Sequence, residues 1–431
     1  MKSKKIYEKS FRYGIVHNIM KLNIHASFKR FECVGLENIP KDGAVILAPN
    51  HCNTLMDPLA LLGVMKKRMV FVARADIFKS KIAAKFLNFL KIMPIVRKRD
   101  GIRNVLQTDD TIKKSIEVLN NHVPFCILPE GTHRTMHSLL PIGKGIARIA
   151  LGADEQMPGE NVYIVPVGLE YGDYFRYRST LRIEFGEPIN VTSLVSEMEG
   201  GPNLRLYNKI RSLTAEGIRD GIVYIPDDEN YEAVWTLARI ASGKVPETDV
   251  QGRWSANREA AEKLRALAEK EPERASALFG RAVKFDGKRK AAGVSLHVLN
   301  AGHPFFAALL RTLVAILWAP LAIVQTIAGA PVWAFSEFLC SKAEDSAFHN
   351  SLRCSVVGLW GTVVLVIWAV VLFLFLPVFQ ALMALVIVAT APFVVYDYKE
   401  WLRRTVSAWR SLGNKKIITE YRALRKEIEK L

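Results

Sequence analysis

From Arg353 to Asp397 the chain carries no charge between the two named residues. As helix, that run of roughly 43 residues at ~1.5 Å each has about twice the length of a bilayer core. Pro377 and Gln380 lie near its middle, and a proline tends to end the helix before it. The run therefore reads as two membrane helices, about 355–376 and 379–396. Trp360, Trp368, Tyr396 and Tyr398 are placed in part like interface anchors.

An earlier apolar block, 301–340, is interrupted by Arg311, Pro320, Gly329 and Pro331. Within it 312–336 is uncharged and long enough for one span. Its two prolines equally suit a kinked or re-entrant hairpin, and a buried pair of core helices is a third reading. The 397–431 tail is basic, with Lys399, Arg403, Arg404, Arg410, Lys415 and Lys416. The positive-inside rule puts this tail in the cytoplasm. Two later spans return the chain to its starting side. Unless 301–340 crosses an odd number of times, everything upstream shares the cytoplasmic face.

The 431 residues carry a net charge of +17 and suffice for two or three domains. Such a surplus favours anionic partners: lipid surfaces, phosphorylated substrates or nucleic acid. Nucleic acid is not expected, because the basic clusters lack interleaved stacking aromatics and a binding motif. The five cysteines (Cys33, Cys52, Cys126, Cys340, Cys354) are scattered without a CxxC zinc pattern. That usage fits a reducing compartment without disulfides. The charged start lacks an early apolar h-region, so no cleavable signal peptide is expected.

Residues 1–30 are basic, and Phe11, Ile15, Ile19 and Leu22 recur at helical spacing. This predicts an amphipathic helix, packed on its own domain or lying on an anionic membrane face. From 31 to 196, short apolar runs alternate with helical patterns. Candidate strands are 31–34, 44–47, 69–73, 125–128, 163–167 and 181–185, with helices starting near Pro58, Ser80, Thr108 and Ile142. The alternation predicts an α/β domain with a central mixed sheet flanked by helices. Its last two strands would form an antiparallel edge hairpin around 170–180. Residues 197–300 read as a polar, helical accessory segment with a loop or linker at 242–257. It would cover the entrance for the reactants.

Chemistry concentrates in the first domain. Asn50-His51-Cys52-Asn53-Thr54-Leu55-Met56-Asp57-Pro58 follows an apolar run and precedes a helical pattern. An imidazole can take a proton from a hydroxyl, and a carboxylate can hold the ring and stabilise the imidazolium. Six positions place the pair about 240° apart on a helix at ~3.6 residues per turn, so they cannot meet on one helix. They can meet if His51 lies in a turn and Asp57 begins the next helix, where Pro58 suits the first turn. Asp57 as a plain helix cap is the alternative. Cys52 beside His51 offers a rival nucleophile.

Three further clusters follow. Pro94-Ile95-Val96-Arg97-Lys98-Arg99 is a strand-like run ending in cations. Leu128-Pro129-Glu130-Gly131-Thr132-His133-Arg134 is a strand end with a glycine turn. Ile164-Val165-Pro166-Val167 closes a fourth. Cations and turn N–H groups at strand ends suit a phosphate, or else are a solvated loop and an ordinary turn. No GxxxxGK[ST] or GxGxxG frame occurs.

The four clusters in this order resemble the glycerophospholipid acyltransferase family, which includes lysophosphatidate and glycerol-3-phosphate acyltransferases. The resemblance covers roughly 20–195. Asn50, His51 and Asp57 are similar to its NHxxxxD motif, with five residues rather than four between His and Asp. Arg97, with Arg99 as second candidate, resembles the arginine that takes the acceptor phosphate. Pro129-Glu130-Gly131-Thr132 resembles FPEGTR, but His133 occupies the arginine position and Arg134 follows one later. The resemblance implies His51 and Asp57 as catalytic. Arg97, Arg99, Glu130, Gly131, Thr132 and Arg134 would bind substrate.

The implied activity is acyl transfer from coenzyme A or acyl carrier protein to lysophosphatidate, giving phosphatidate for phospholipid synthesis. Glycerol-3-phosphate as acceptor is the alternative, and a non-catalytic membrane scaffold that keeps the fold is the second. The thioester is a co-substrate, and no metal or other cofactor is expected. The partners would be the glycerol-phosphate lipid and a phospholipid membrane.

Overall fold

Ala44–Pro49 forms β2, and all six residues are buried. A continuous apolar run is what a parallel strand covered on both faces requires. The computed structural model describes residues 5–66, 68–95, 105–198, 204–300 and 303–431. Among them, eight strands form one sheet: β1 (Arg30–Val34), β2, β3 (Val70–Arg74), β4 (Ile92–Ile95), β5 (Phe125–Cys126), β6 (Val162–Tyr171), β7 (Thr180–Phe185) and β8 (Ile189–Asn190). The order is β1-β7-β6-β2-β5-β3-β4, with β8 also on β6. β2 pairs in parallel with β5 and β6, and β3 with β4 and β5, whereas β7 and β8 are antiparallel to β6.

The sheet is mixed and flanked by helices, as the alternation predicts. The 181–185 strand is not an edge, however, because β1 lies outside β7. Chain order alone cannot reveal that return. β8 has two residues, too few for a period-2 pattern to show.

The chain clusters into two units: Met1–His25, Glu32–Tyr174 and Leu181–Ile222 make the first, and Ala26–Phe31, Phe175–Thr180 and Val223–Leu431 the second. The first unit carries α1 (Phe11–Ala26), α2 (Met56–Val64), α3 (Lys81–Phe89), α4 (Val105–Asn120), α5 (Lys144–Gln156), α6 (Val191–Glu197) and α7 (Leu204–Gly221). It thus runs past residue 196 to include α7, which packs on β6. The α1 stripe read from the sequence faces outward: Phe11 is 86% and Leu22 74% exposed. A different face, with Tyr13, Met20 and Ile24, is buried.

The second unit holds α8 (Tyr231–Ala241), α9 (Val250–Lys270), α10 (Pro272–Ala291), α11 (Leu296–Leu299), α12 (Pro304–Ala328), α13 (Ala330–Lys342), α14 (His349–Ser355), α15 (Gly361–Phe375), α16 (Val378–Gly413) and α17 (Lys415–Ile428). α9 absorbs much of the expected 242–257 loop, because Asp249 caps it by accepting from Gly252 N at 2.8 Å. α16 runs unbroken past Asp397, so the basic tail is helical rather than extended. Among the described residues three helical segments, Pro304–Ala328, Ser346–Phe375 and Val378–Gly413, are long and apolar enough to cross a membrane.

β6 and α7 touch backbone to backbone at Gly168 and Gly221. A Cβ on Gly168 would lie 2.5–2.7 Å from Gly221 backbone atoms, a clash neither element can relieve without moving. Gly168→Ala should therefore destabilise the protein by about 2–3 kcal/mol. Gly145→Ala, where a Cβ meets nothing within 4 Å, should leave the thermal midpoint in detergent unchanged or higher. Equal midpoints for the two variants would refute the close-contact account.

Candidate active site

The site begins where β2 ends, in the middle of the sheet. Open α/β sheets bind ligands at the carboxyl ends of parallel strands, where neighbouring connections diverge. β2 is such a strand, with β6 on one side and β5 on the other. Leaving β2, the Asn50 side chain grips β6: its Oδ1 accepts from Leu169 N at 2.7 Å and its Nδ2 donates to Leu169 O at 3.1 Å. The chain then reverses, with Met56 N donating to Asn53 O at 2.9 Å. Thr54 takes φ 49°, a conformation that costs a β-branched residue energy. α2 follows, with Asp57 and Pro58 in its first turn.

This reversal closes the six-position gap. His51 Nδ1 lies 2.8 Å from Asp57 Oδ2. The same oxygen accepts from Asn53 N at 2.8 Å, and Oδ1 accepts from Tyr171 Oη at 2.9 Å. Asp57 is not the helix cap; that position is Leu55. The Asp57 side chain is fully buried, and that of His51 is 18% exposed. With Nδ1–H committed to the carboxylate, Nε2 carries the lone pair that can accept a proton.

Cys52 is no rival nucleophile. It is buried, and burial together with the Asp57 charge pushes its thiol well above its usual range. Only the thiolate attacks.

The loop after β5 braces His51 from the other side. Glu130 Oε1 accepts from His51 N at 2.5 Å and Oε2 from Leu140 N at 2.7 Å. Both oxygens thus hold backbone, and a carboxylate offers nothing to an anionic phosphate. Burial raises the Glu130 carboxyl to about 7, against the two hydrogen bonds that favour its charge. Gly131 is exposed at φ 69°, suited to glycine. Thr132 beside it is half-buried. The His133 ring stands edge-on to His51, centroids 5.6 Å apart. Arg134, one place later than the family pattern, donates its N–H to His51 O at 3.0 Å and Nη2 to Ser138 Oγ at 3.0 Å.

Arg97 and Arg99 lie outside the described residues. β4, which leads to them, ends at Ile95 and runs parallel to β3.

The sequence reading missed Tyr171. Its hydroxyl holds Asp57 from 114 positions away, and on β6 it looks like one more apolar strand position. Tyr171→Phe removes a donor to a buried carboxylate, a loss of about 1–3 kcal/mol. Because Tyr171 is buried, kcat should fall about tenfold or more while KM stays nearly constant. A rise in KM with kcat intact would place Tyr171 on the substrate instead.

Glu130 also makes a pH prediction. Its carboxyl is raised from 4.5 to about 7 in the fold, so the folded state binds this proton more tightly than the unfolded chain. That contribution is fully present below about 4.5 and is lost as pH rises through about 7. Wild type should lose about 1–3 kcal/mol relative to Glu130→Gln between about pH 5 and pH 8. Thermal midpoints of both proteins across that window check it; parallel curves would contradict the raised carboxyl.

Residues 30–170 match the protein-family model described as Acyltransferase. The glycerol-3-phosphate O-acyltransferase 1 of Saccharomyces cerevisiae is 31% identical over 116 residues, covering 26% of this chain and 15% of that protein. Glycerol-3-phosphate O-acyltransferase 2 of the same yeast is 44% identical over 72 residues, 17% of this chain and 10% of that protein. An uncharacterized acyltransferase of Schizosaccharomyces pombe is 24% identical over 115 residues, 26% of this chain and 17% of its own length. The chain thus spans less than a fifth of the curated relatives it matches. The crystal structure of a 1-acyl-sn-glycerophosphate acyltransferase from Thermotoga maritima is 21% identical, covers 48% of this chain and 77% of its own, and gives a TM-score of 0.36.

Proposed function

We propose that this chain, whose residues 30–170 form an Acyltransferase-family domain, moves a fatty acyl group from a thioester to a hydroxyl of a glycerol-phosphate acceptor. The observation that carries the reading is the His51–Asp57 pair, with a fully buried carboxylate and a partly open imidazole at the end of β2. His51 Nε2 takes the acceptor's hydroxyl proton as that oxygen attacks the thioester carbonyl. The tetrahedral intermediate collapses, the C–S bond breaks, and the proton passes from His51 to the departing sulfur. A thiol pKa near ~8.5 makes that leaving group need little acid help. Asp57 holds the ring's tautomer and balances the transient imidazolium.

Arg97, Arg99 and Arg134 are the cations assigned to the acceptor phosphate, and Gly131 and Thr132 the turn that lies beside it. Glu130 acts by fixing the His51 backbone. Two acceptors fit this assignment: 1-acyl-glycerol-3-phosphate, giving phosphatidate, and glycerol-3-phosphate itself. The names of the two yeast relatives support the second. Acyl-CoA or acyl carrier protein supplies the acyl group, with no metal in the mechanism. The domain works on the cytoplasmic face of a phospholipid membrane, where such thioesters are found and where the basic residues of 397–431 belong.

Purified, detergent-solubilised protein with labelled acyl-CoA or acyl carrier protein, and either acceptor, tests this. His51→Ala should lower turnover about 100-fold or more while the protein still inserts in membranes. Turnover on one acceptor names the substrate. Equal, background-level signal from wild type and variant with every donor would instead support a scaffold that keeps the fold.

A further inference from the structure

Among the described residues three helical segments are long enough to span a bilayer, and three crossings would put α9 and α17 on opposite sides. The packing of the second unit argues for a different count. α12 runs antiparallel along α16: Thr312 Oγ1 accepts from Trp409 Nε1 at 2.9 Å, Ala315 O from Tyr398 Oη at 3.1 Å, and Gln325 Nε2 donates to Thr390 Oγ1 at 2.9 Å. At Gly329 the chain reaches Ala391, where a Cβ would stand 3.0 Å from the alanine methyl.

There it turns back. Trp333 Nε1 of α13 donates to Thr326 O at 2.8 Å. Ser336 Oγ lies 3.0 Å from Tyr396 Oη, and Glu337 binds both Tyr396 and Arg353. Cys340 lies beside His349 O. The end of α13 has therefore descended to the level of Tyr396 or below it, and α14 sets out from that level.

The level itself is marked by charge. Asp397 accepts from Arg178 at 2.9 Å and pairs with Lys29, and Glu400 pairs with Arg176 and Arg404. These pairs cannot enter hydrocarbon without large cost. Above them, the 19 residues of α16 from Val378 to Tyr396 span about 28 Å at ~1.5 Å each, close to one bilayer core. Gly329, level with Ala391, reaches only about 8 Å of that depth. α16 continues about 20 Å beyond it to the turn at Pro377. α15 gives the same figure: Trp360 bonds Pro331 O at 3.0 Å, and the 15 residues of α15 rise from there.

We propose that α12 and α13 form a re-entrant hairpin seated in one leaflet, and that the protein crosses the bilayer twice, through α14–α15 and through α16. The occupant of the exposed hairpin tip, Ile323, Val324, Ile327 and Phe335, is the acyl-chain layer of that near leaflet. The even count returns α17 to the side of α9 and α10. This inference is independent of the reaction.

The wild-type chain tests it directly. Sealed vesicles bearing the 431-residue chain are treated with a membrane-impermeant amine reagent from either face, and labelled lysines are read by mass spectrometry. Lys270, Lys342 and Lys426 are all exposed, and all three should label from the same face. A protease recognition sequence inserted between Leu376 and Pro377 should be cut only from the other face. Lys270 labelled from one face with Lys342 and Lys426 from the other would overturn the proposal in favour of three crossings. Cleavage at 376/377 from the lysine face would overturn it in favour of a hairpin that never crosses. If the insertion prevents folding, the lysine pattern of the unmodified chain still decides against or for three crossings, and wild-type protein cut at 376/377 by a broad protease from the far face replaces the insertion.

Discussion

A carboxylate with no solvent exposure, Asp57, is a demanding group for this fold to hold. Burying Asp57 costs several kcal/mol unless charge and hydrogen bonds compensate. Here compensation comes from the His51 ring and Asn53 N on one oxygen and the Tyr171 hydroxyl on the other. These donors belong to a loop and a strand far apart in sequence, so the sheet must be in register before the site exists. Pro49 pairs with Val167 at the end of the β2–β6 ladder. β6 then runs on for four residues, which puts Leu169 against Asn50 and Tyr171 against Asp57. The extra length of β6 is thus part of the site's geometry, and the Gly168–Gly221 contact lets α7 close over it.

The second neighbour of β2 acts on the backbone. Glu130, in the loop after β5, takes N–H groups from His51 and Leu140, and Arg134 N reaches back to His51 O. His51 is consequently fixed at its ring by Asp57 and at its N–H and its C=O by the loop after β5, two segments far apart in sequence. That rigidity suits the general-base role proposed for His51, since small misplacements cost large factors in rate. It also explains how a six-position spacing works: the reversal at Thr54 stores backbone strain, and the surrounding bonds hold it in place.

Much of this was legible in the sequence, and the remainder failed for identifiable reasons. The Asn50–Asp57 stretch, the Glu130–Gly131–Thr132 turn and the strand–helix alternation depend on residues close in the chain, where pattern carries information. The role of Glu130 was not legible, because a motif names a residue without saying which way its oxygens point. Tyr171 was invisible because an apolar strand position and a hydrogen-bond donor look the same until its partner is known. β1 outside β7 is a spatial order that chain order does not encode. On α1, periodicity found a stripe correctly, but which stripe is buried depends on what the helix meets; Met20 and Ile24 are covered and Phe11 and Leu22 are not.

The apolar C-terminal half shows the same limit and how packing overcomes it. Hydropathy measures whether a helix can lie in lipid, not how far it goes. α12 satisfies the length rule, yet its foot runs beside Tyr398, Trp401 and Trp409, on the charged side of Asp397. Its residues there include Phe305 and Phe306, with Phe305 edge-on to Trp409. The amphipathic rings of Tyr398, Trp401 and Trp409 suit the headgroup zone better than the hydrocarbon centre. A helix whose foot rests in that zone has used part of its length before entering lipid, so it cannot also reach the far side. The ion pairs at Asp397 and Glu400 set the depth of α16, and every helix packed on α16 inherits that depth.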